Sequence, residues 1–198
     1  MMNRLNLMDD DELVRLYSEG NEEAFGALLD RYKDRLYAYI SFIVRRSDLA
    51  DDIFQDTFVK AISTLRKGGY TGTGKFGAWL TRIAHNLIID SFRQDRNENT
   101  VSNDACETDL LNNAGLCEDN IEDRMINTQI LKDVRKLVGL LPDNQREVVF
   151  MRYYQDLSFK EIADITGVSI NTALGRMRYA LINIRKMAAD NGISLVLA

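Results

Sequence analysis

Residues 158–186 read SFKEIADITGVSINTALGRMRYALINIRK, a segment for which two short helices are predicted. Ser158 and Glu161 stand at capping-box spacing, where the serine side chain accepts from a first-turn amide and the glutamate reaches back. Gly167 predicts the end of the first helix, because a left-handed residue often follows the last helical turn. Ser169 then predicts the cap of the second helix. Two helices joined by such a turn form a helix-turn-helix.

The second helix of this segment combines an apolar face with a basic one. Apolar residues at three- and four-residue spacing predict its buried face: Leu174, Met177, Leu181 and Ile184. No acidic residue lies between Ser169 and Lys186. Because the second helix of a helix-turn-helix lies in the DNA major groove, we expect a DNA-reading module. A helical hairpin with a basic solvated face is the alternative from this segment alone.

The composition is that of a soluble helical protein. The 198 residues are 45% hydrophobic and 28% charged and include one proline, which favours an all-α fold of one or two domains. No stretch approaches the roughly 18 apolar residues of a membrane span. Residues 1–13, MMNRLNLMDDDEL, become acidic too early for a signal peptide. We therefore expect a cytoplasmic protein that is not itself a membrane protein.

The net charge of −5 is distributed unevenly along the chain. Residues 95–129 hold nine acids and two bases, whereas residues 57–94 hold six bases and one acid. This asymmetry predicts polyanion-binding faces next to an acidic tether. Residues 95–120 lack aromatic side chains and helical periodicity, which predicts a flexible linker. Cys106 and Cys117 within it are predicted to be free thiols, because a metal site would need two more ligands and His85 is the only histidine.

Predicted caps mark three helices in the first half of the chain. The caps are Asp9 with Glu12, Asn21, and Ser47. Aromatic residues of the second helix, including Tyr37, are expected in the core. The third helix carries a cluster of polar residues opposite its apolar face: Asp51, Asp52, Gln55 and Asp56. A solvated helix face and a docking surface for a basic partner both fit this cluster.

A glycine-rich loop, KGGYTGTGKFG, follows at residues 67–77. It approaches a phosphate-binding P-loop, but Phe76 stands where Ser or Thr holds Mg²⁺, and an amphipathic helix precedes it in place of a buried strand. Nucleotide hydrolysis is therefore disfavoured. A flexible basic loop carrying Tyr70 instead suits an unstacked base of single-stranded DNA.

The predicted fourth helix, Phe76 to Arg93, contains the only tryptophan, Trp79. Arg82, Asn86 and Arg93 recur at helical spacing on a polar face. Aromatic and basic side chains beside a flexible loop are typical of single-strand binding, which needs a backbone groove and stacking surfaces. A core position is the simpler interpretation of Trp79 taken alone.

The two halves together resemble a bacterial RNA polymerase sigma factor of the small extracytoplasmic-function (ECF) type. The resemblance rests on three motifs in the family's order: ADDIFQDTFVKA at Ala50–Ala61, FGAWLTRIAHNLIIDSFR at Phe76–Arg93 and LPDNQREVVFMRYYQDLSFKEIADITGVSINTALGRMRYAL at Leu141–Leu181. It implies an all-α fold of two small helical domains joined by a flexible acidic linker, with the helix-turn-helix in the second. The implied divisions are a region 2 domain at 1–94, the linker at 95–120 and a region 4 domain at 121–198.

The resemblance also implies roles for the candidate residues. The set that binds core polymerase would be Asp51, Asp52, Gln55 and Asp56. The set that binds the minus-ten element would be Tyr70, Lys75, Trp79, Arg82, Asn86 and Arg93. The set that binds the minus-thirty-five element would be Ser169, Asn171, Thr172, Arg176, Arg178 and Tyr179. At three positions this chain departs from many relatives, which have Val and then Lys-Ser where it has Ala173, Leu174 and Gly175.

As a sigma factor, the chain would bind core RNA polymerase, recognise and melt promoter DNA, and direct promoter-specific initiation. It would have no enzyme activity, cofactor, metal or small-molecule substrate. Family members are usually held inactive by an anti-sigma factor, often membrane-bound, so such a partner is implied. The alternative is a stand-alone helix-turn-helix regulator that does not bind core polymerase. That alternative leaves Asp51–Asp56 and the glycine-rich loop without a role.

Overall fold

The computed structural model describes residues 4–72, 74–98 and 133–193. All regular structure in these ranges is helical: a 3₁₀ turn at Arg4–Leu7 precedes α1 (Asp10–Ser18), α2 (Glu22–Val44), α3 (Ser47–Arg66), α4 (Phe76–Glu98), α5 (helical over 133–139), α6 (Asp143–Tyr153), α7 (Phe159–Thr166) and α8 (Ile170–Asp190). The predicted all-α fold is confirmed. The chain divides into two compact units, one within residues 1–108 and the other within 109–198. Across the described ranges, no helix combines the length and apolar character needed to cross a membrane.

Several predictions concern residues outside the described ranges. They include most of the predicted linker with Cys106 and Cys117, and residues 121–132 of the helix predicted to follow it. The predicted domain boundaries therefore remain predictions. Helix α4 itself continues to Glu98, past the predicted end at Arg93. Its added turn carries Asp95, whose carboxylate lies 3.4 Å from the guanidinium of Arg46 at the start of α3.

Local capping starts the first two helices as predicted. Asp9 accepts a hydrogen bond from the Glu12 amide at 2.8 Å, and the Glu12 carboxylate accepts one from the Asp9 amide at 3.4 Å. Asn21 accepts from the Glu23 amide at 3.1 Å. These bonds satisfy amides that have no partner within the first helical turn.

The predicted cap at Ser47 is wrong. Ser47 is the first residue of α3, and Arg46 occupies the N-cap position without a capping bond from its side chain. The reason lies in the short connection, where Arg45 ends α2 in the left-handed conformation at φ 59°. The chain reverses within two residues and enters α3 one position before the serine could act as cap.

The first unit packs α2, α3 and α4 against one another, with α1 lying on α2. Fully buried alanines allow these helices to approach closely: Ala24, Ala50, Ala61 and Ala84. Tyr39 is also fully buried, and its hydroxyl lies 3.3 Å from Nδ1 of His85. The expectation that Tyr37 belongs to the core is wrong, since its side chain is 38% exposed. Tyr37 instead donates a hydrogen bond to Asp51 of α3 at 2.8 Å, along the surface.

The second unit contains the predicted helix-turn-helix, formed by α7 and α8. The Ser158 hydroxyl accepts from the Glu161 amide at 3.3 Å, and the Glu161 carboxylate accepts from the Ser158 amide at 2.8 Å. Gly167 ends α7 at φ 66°, in the left-handed region. Ser169 caps α8 by accepting from the Thr172 amide at 3.0 Å. Each of these local predictions is confirmed.

The buried face of α8 differs from the predicted one. Its buried residues are Ala173, Met177, Ala180, Ile184 and Ala188. Met177 and Ile184 were predicted correctly, but Leu181 is half-buried and Leu174 is 43% exposed. The prediction counted large apolar side chains, whereas α8 packs on α6 and α7 partly through alanines, which permit a closer approach.

Candidate functional site

Helix α3 presents the predicted acidic cluster to solvent. Asp52, Gln55 and Asp56 are exposed, and they fall within about 100° of one another around the helix axis. Asp51 is exposed as well, but its carboxylate accepts the hydrogen bond from Tyr37 and is therefore engaged with α2. That hydrogen bond, with partial burial as the second cause, raises the pKa of the Tyr37 phenol. The predicted set thus consists of an outward trio and one residue at its edge.

Val59 extends this surface and was not predicted. Its side chain is 63% exposed, and it lies one helical turn beyond Gln55 and Asp56. An exposed β-branched residue on an otherwise polar helix face is the sequence signal that could have identified it. Asp52, Gln55, Asp56 and Val59 are called the α3 face below. An acidic surface with an apolar residue beside it suits a basic partner that also covers apolar area.

Helix α4 gathers most of the predicted strand-binding residues on one side. Four of these side chains fall within about 60° of one another around the helix axis: Trp79, Arg82, Asn86 and Arg93. These four residues are called the α4 face below. The two arginines and Asn86 are exposed, whereas Trp79 is half-buried. The interpretation of Trp79 as a core residue is therefore only partly correct. Arg93 also lies 3.6 Å from Asp90, a contact between exposed groups that contributes little to stability.

The loop between α3 and α4 places Tyr70 at the end of the α4 face. The ring centroid of Tyr70 lies 5.0 Å from that of Trp79 and 5.6 Å from that of Phe76. The Tyr70 hydroxyl donates to Oδ1 of Asp11 at 3.0 Å. The Gly74 amide donates to Oδ2 of the same carboxylate at 2.8 Å. The loop predicted to be flexible is thus anchored to α1.

Asp11 was missed by the sequence reasoning. Its loop partners lie 59 and 63 residues away along the chain, so no local pattern connects them. Among the acidic residues at the start of α1, only Asp9 and Glu12 were predicted to have a role, as a capping pair. The neighbouring Asp10 has a different role, since it accepts hydrogen bonds from Arg31 and Tyr32 of α2.

The surroundings of the loop do not match those of a nucleotide-binding P-loop. Helix α3, which ends at Arg66, precedes the loop where a P-loop requires a buried strand. Lys75 is exposed at the start of α4. Within residues 4–72, 74–98 and 133–193, no group of three or more His, Cys, Asp or Glu side chains is arranged to hold a metal ion.

Helix α8 carries the residues predicted to bind duplex DNA along its solvent side. Asn171, Arg178 and Tyr179 are exposed, and Arg176 is partly exposed. The hydroxyls of Ser169 and Thr172 lie 2.9 Å apart, and Ser169 also caps the helix. These two predicted residues therefore have a structural role at the start of α8.

Gly175 lies on the solvent side of α8, one turn after Asn171 and one turn before Arg178 and Tyr179. A Cβ atom added to it would meet nothing within 4 Å. Glycine inside a helix costs about 0.5–1 kcal/mol relative to alanine, and no contact among the described residues requires it here. Its absent side chain leaves the helix backbone accessible on the predicted DNA-binding side.

Comparison with known proteins identifies both halves of the chain. Residues 28–98 match the family model for sigma-70 region 2, and residues 131–178 match that for sigma-70 region 4. The chain is 35% identical over 161 residues to the ECF RNA polymerase sigma factor BldN of Streptomyces coelicolor, covering 79% of this chain and 57% of that protein. It is 31% identical over 161 residues to the RNA polymerase sigma factor YlaC of Bacillus subtilis, covering 77% of this chain and 88% of that protein.

A solved structure supports the same fold. The sigma factor RpoE of Bartonella quintana, in complex with the anti-sigma factor NepR, superposes with a TM-score of 0.59 at 21% identity, covering 83% of this chain and 96% of that one. The family models together account for more than half of the chain, and their order agrees with the two helical units. The family predicted from the motifs is confirmed: the chain belongs to the RNA polymerase sigma factors, in the extracytoplasmic-function subfamily.

Proposed function

We propose that this chain is a dissociable initiation subunit that binds core RNA polymerase and directs it to specific promoters. The first unit would bind polymerase and the minus-ten element, and the second would bind the minus-thirty-five element, with the domain divisions at 1–94, 95–120 and 121–198. Sigma factors are non-enzymatic initiation factors, and we propose no catalytic activity for this chain. Its place of action would be the cytoplasm, where polymerase and promoter DNA meet.

The observation that carries this proposal is the α3 face. Asp52, Gln55 and Asp56 point away from the unit, and Val59 adds exposed apolar area beside them. Within the described residues, neither Asp52 nor Asp56 forms an ion pair. Desolvating unpaired carboxylates is costly unless a partner supplies positive charge. A basic surface of core polymerase would supply that charge, with Asp51 contributing at the edge.

The α4 face and the adjoining loop suit the minus-ten element in its melted form. Three cationic side chains would contact phosphates of the strand: Arg82, Arg93 and Lys75. Such contacts fix the position of the strand along the protein surface. Trp79 and Tyr70 would provide aromatic surface for an unpaired base, and such stacking is worth about 1–3 kcal/mol per base. Capturing a base after it has left the duplex favours the open state.

The solvent side of α8 suits the upstream duplex. Asn171 and Thr172 lie in the first turn, the part of a recognition helix that contacts base edges. Arg176 and Arg178 would contact phosphates, and Tyr179 would add a further backbone contact. Replacing Arg178 with Ala should weaken promoter binding uniformly, whereas replacing Asn171 with Ala should relax the preference at one base pair.

We also propose an anti-sigma factor as a regulatory partner. The Bartonella quintana neighbour was solved in complex with an anti-sigma factor. An inhibitor of that class would compete for the surfaces that bind polymerase. Its test is co-purification of this chain with a protein that blocks its transcription activity.

The proposed function is tested by transcription from a library of duplex promoters with core polymerase, with and without this chain. The expected result is initiation at defined start sites only when the chain is present. Start sites that are unchanged by adding the chain would overturn the proposal. Tight sequence-specific binding by the isolated chain would also contradict it, since it would favour a stand-alone regulator.

A further inference from the structure

A single carboxylate in α1 holds the loop at the end of the α4 face at two points. One oxygen of Asp11 accepts the Tyr70 hydroxyl at 3.0 Å, and the other accepts the Gly74 amide at 2.8 Å. Hydrogen bonds to an ionised group are roughly twice as strong as neutral ones. The loop is therefore fixed through both a side chain and its backbone.

The glycines of the loop fit this anchoring. Gly74 adopts φ 67°, a left-handed conformation that side-chain-bearing residues rarely take, and its amide donates to Asp11. A Cβ atom on Gly72 would lie 3.1 Å from Cγ of Asp11, so a side chain there would press on the carboxylate. The composition that suggested flexibility thus also permits close contact with α1.

The anchoring determines where the aromatic surface lies. Tyr70 packs on Trp79 and on the buried Phe76, so fixing its hydroxyl also fixes the ring beside the α4 face. A binding surface held in its bound arrangement avoids the entropic cost of ordering a loop when the ligand arrives.

We propose that Asp11 is a positioning residue for minus-ten recognition, which holds the loop ready to receive the unpaired base. Helix α1 thereby belongs to the DNA-reading surface of the first unit without contacting DNA through this side chain. This assignment rests on the proposed function. Asp10 is distinct, because its bonds go to Arg31 and Tyr32 of α2.

The anchoring can be measured on the isolated chain, because Trp79 is its only tryptophan. Asp11→Ala should release Tyr70 from Trp79, which should increase quenching of tryptophan fluorescence by acrylamide and shift the emission to longer wavelength. Asp30→Ala is the matched control, since it removes a carboxylate of α2 that pairs with Lys33 at 2.7 Å on the surface. Circular dichroism should show unchanged helix content in both variants. Fluorescence identical to wild type in Asp11→Ala would overturn the proposal.

Transcription separates positioning from mere structural support. Asp11→Ala should lower initiation on duplex promoters at least about tenfold, because it removes both hydrogen bonds that the carboxylate accepts from the loop. It should also flatten the preference among bases at the minus-ten element, while core-polymerase affinity stays at the wild-type value. Tyr70→Phe, which keeps the ring, should show part of the loss, and the double variant should lose less than the two single effects combined.

The two proposals fail in different ways. Altered fluorescence with an unchanged minus-ten base preference would overturn the role of Asp11 alone, because the contact would then be only structural. A wild-type chain that supports no promoter-specific initiation would overturn the proposed function, and this assignment with it. An additive double variant would contradict a shared action of Asp11 and Tyr70.

Discussion

Gly175 allows stability and DNA recognition to be separated with one methyl group. It lies inside α8, and a Cβ atom added there meets nothing within 4 Å. Gly175→Ala should therefore stabilise the second unit by about 0.5–1 kcal/mol, the difference between the two residues in a helix interior. For a domain of this size, 1 kcal/mol corresponds to a rise in Tm of about 4–8 °C. Thermal unfolding followed by circular dichroism measures this gain.

The same methyl group should impair recognition of the minus-thirty-five element. It would extend toward the duplex between Asn171 and Arg178, where the proposed complex brings the backbone of α8 close to DNA. Displacing a good contact to a base costs about 1–3 kcal/mol. Holoenzyme carrying Gly175→Ala should therefore start less often at promoters that depend on this element, despite the more stable fold.

Gly26 provides the matched control for this prediction. It lies within α2, and its added Cβ would also meet nothing within 4 Å. Gly26→Ala should stabilise the first unit by a similar amount and leave use of the minus-thirty-five element unchanged. Equal promoter activity of the two variants would refute a close approach of DNA at Gly175. A lower Tm in either variant would refute the open space assigned to that position.

Two further predictions concern the stability of each unit. Burial, followed by the hydrogen bond to Asp10, raises the pKa of the Tyr32 phenol above its usual value of about 10. The folded state therefore retains this proton more firmly than the unfolded chain, so its contribution to stability is complete below about pH 10 and falls as the pH rises further. Urea unfolding measures the free energy of unfolding at pH 8 and at pH 11. This free energy should fall less between the two pH values in Tyr32→Phe than in wild type. An equal fall would contradict the buried, hydrogen-bonded state of the Tyr32 hydroxyl. In the second unit, Met177→Ala should cost about 2–5 kcal/mol because Met177 is 6% exposed, whereas Leu174→Ala should cost much less because Leu174 is 43% exposed. If both substitutions lowered the free energy of unfolding in urea equally, Leu174 would belong to the buried face of α8, as the sequence predicted.

The features predicted correctly from the sequence depend on neighbours along the chain. The capping box of Ser158 and Glu161, the left-handed Gly167 and the cap at Ser169 each involve groups within a few residues of one another. Such bonds form wherever the chain permits the helix start or end, so short patterns identify them. Ser47 shows the limit of this rule, because the left-handed Arg45 alters the entry into α3.

The features that were missed depend on tertiary packing. Leu174 was assigned to the core by its size, whereas Ala173 occupies the buried position because helices approach closely over a small residue. The link between Asp11 and Tyr70 spans 59 residues, and the link between Tyr37 and Asp51 joins two helices. Neither of these two hydrogen bonds could be predicted before the positions of the helices relative to one another were known.

The central claim is that the α3 face binds core RNA polymerase, and co-elution on a sizing column tests it most directly. The wild-type chain would be compared with an Asp52→Arg, Gln55→Ala double variant, with Asp30→Arg as a control for charge reversal elsewhere on the unit. Like charges at an interface cost several kcal/mol, so the account predicts that wild type and Asp30→Arg co-elute with polymerase and that a folded double variant does not. Co-elution of the double variant at the wild-type level would contradict the role of the α3 face. A wild-type chain that elutes apart from polymerase would contradict the account as a whole and favour a stand-alone helix-turn-helix regulator.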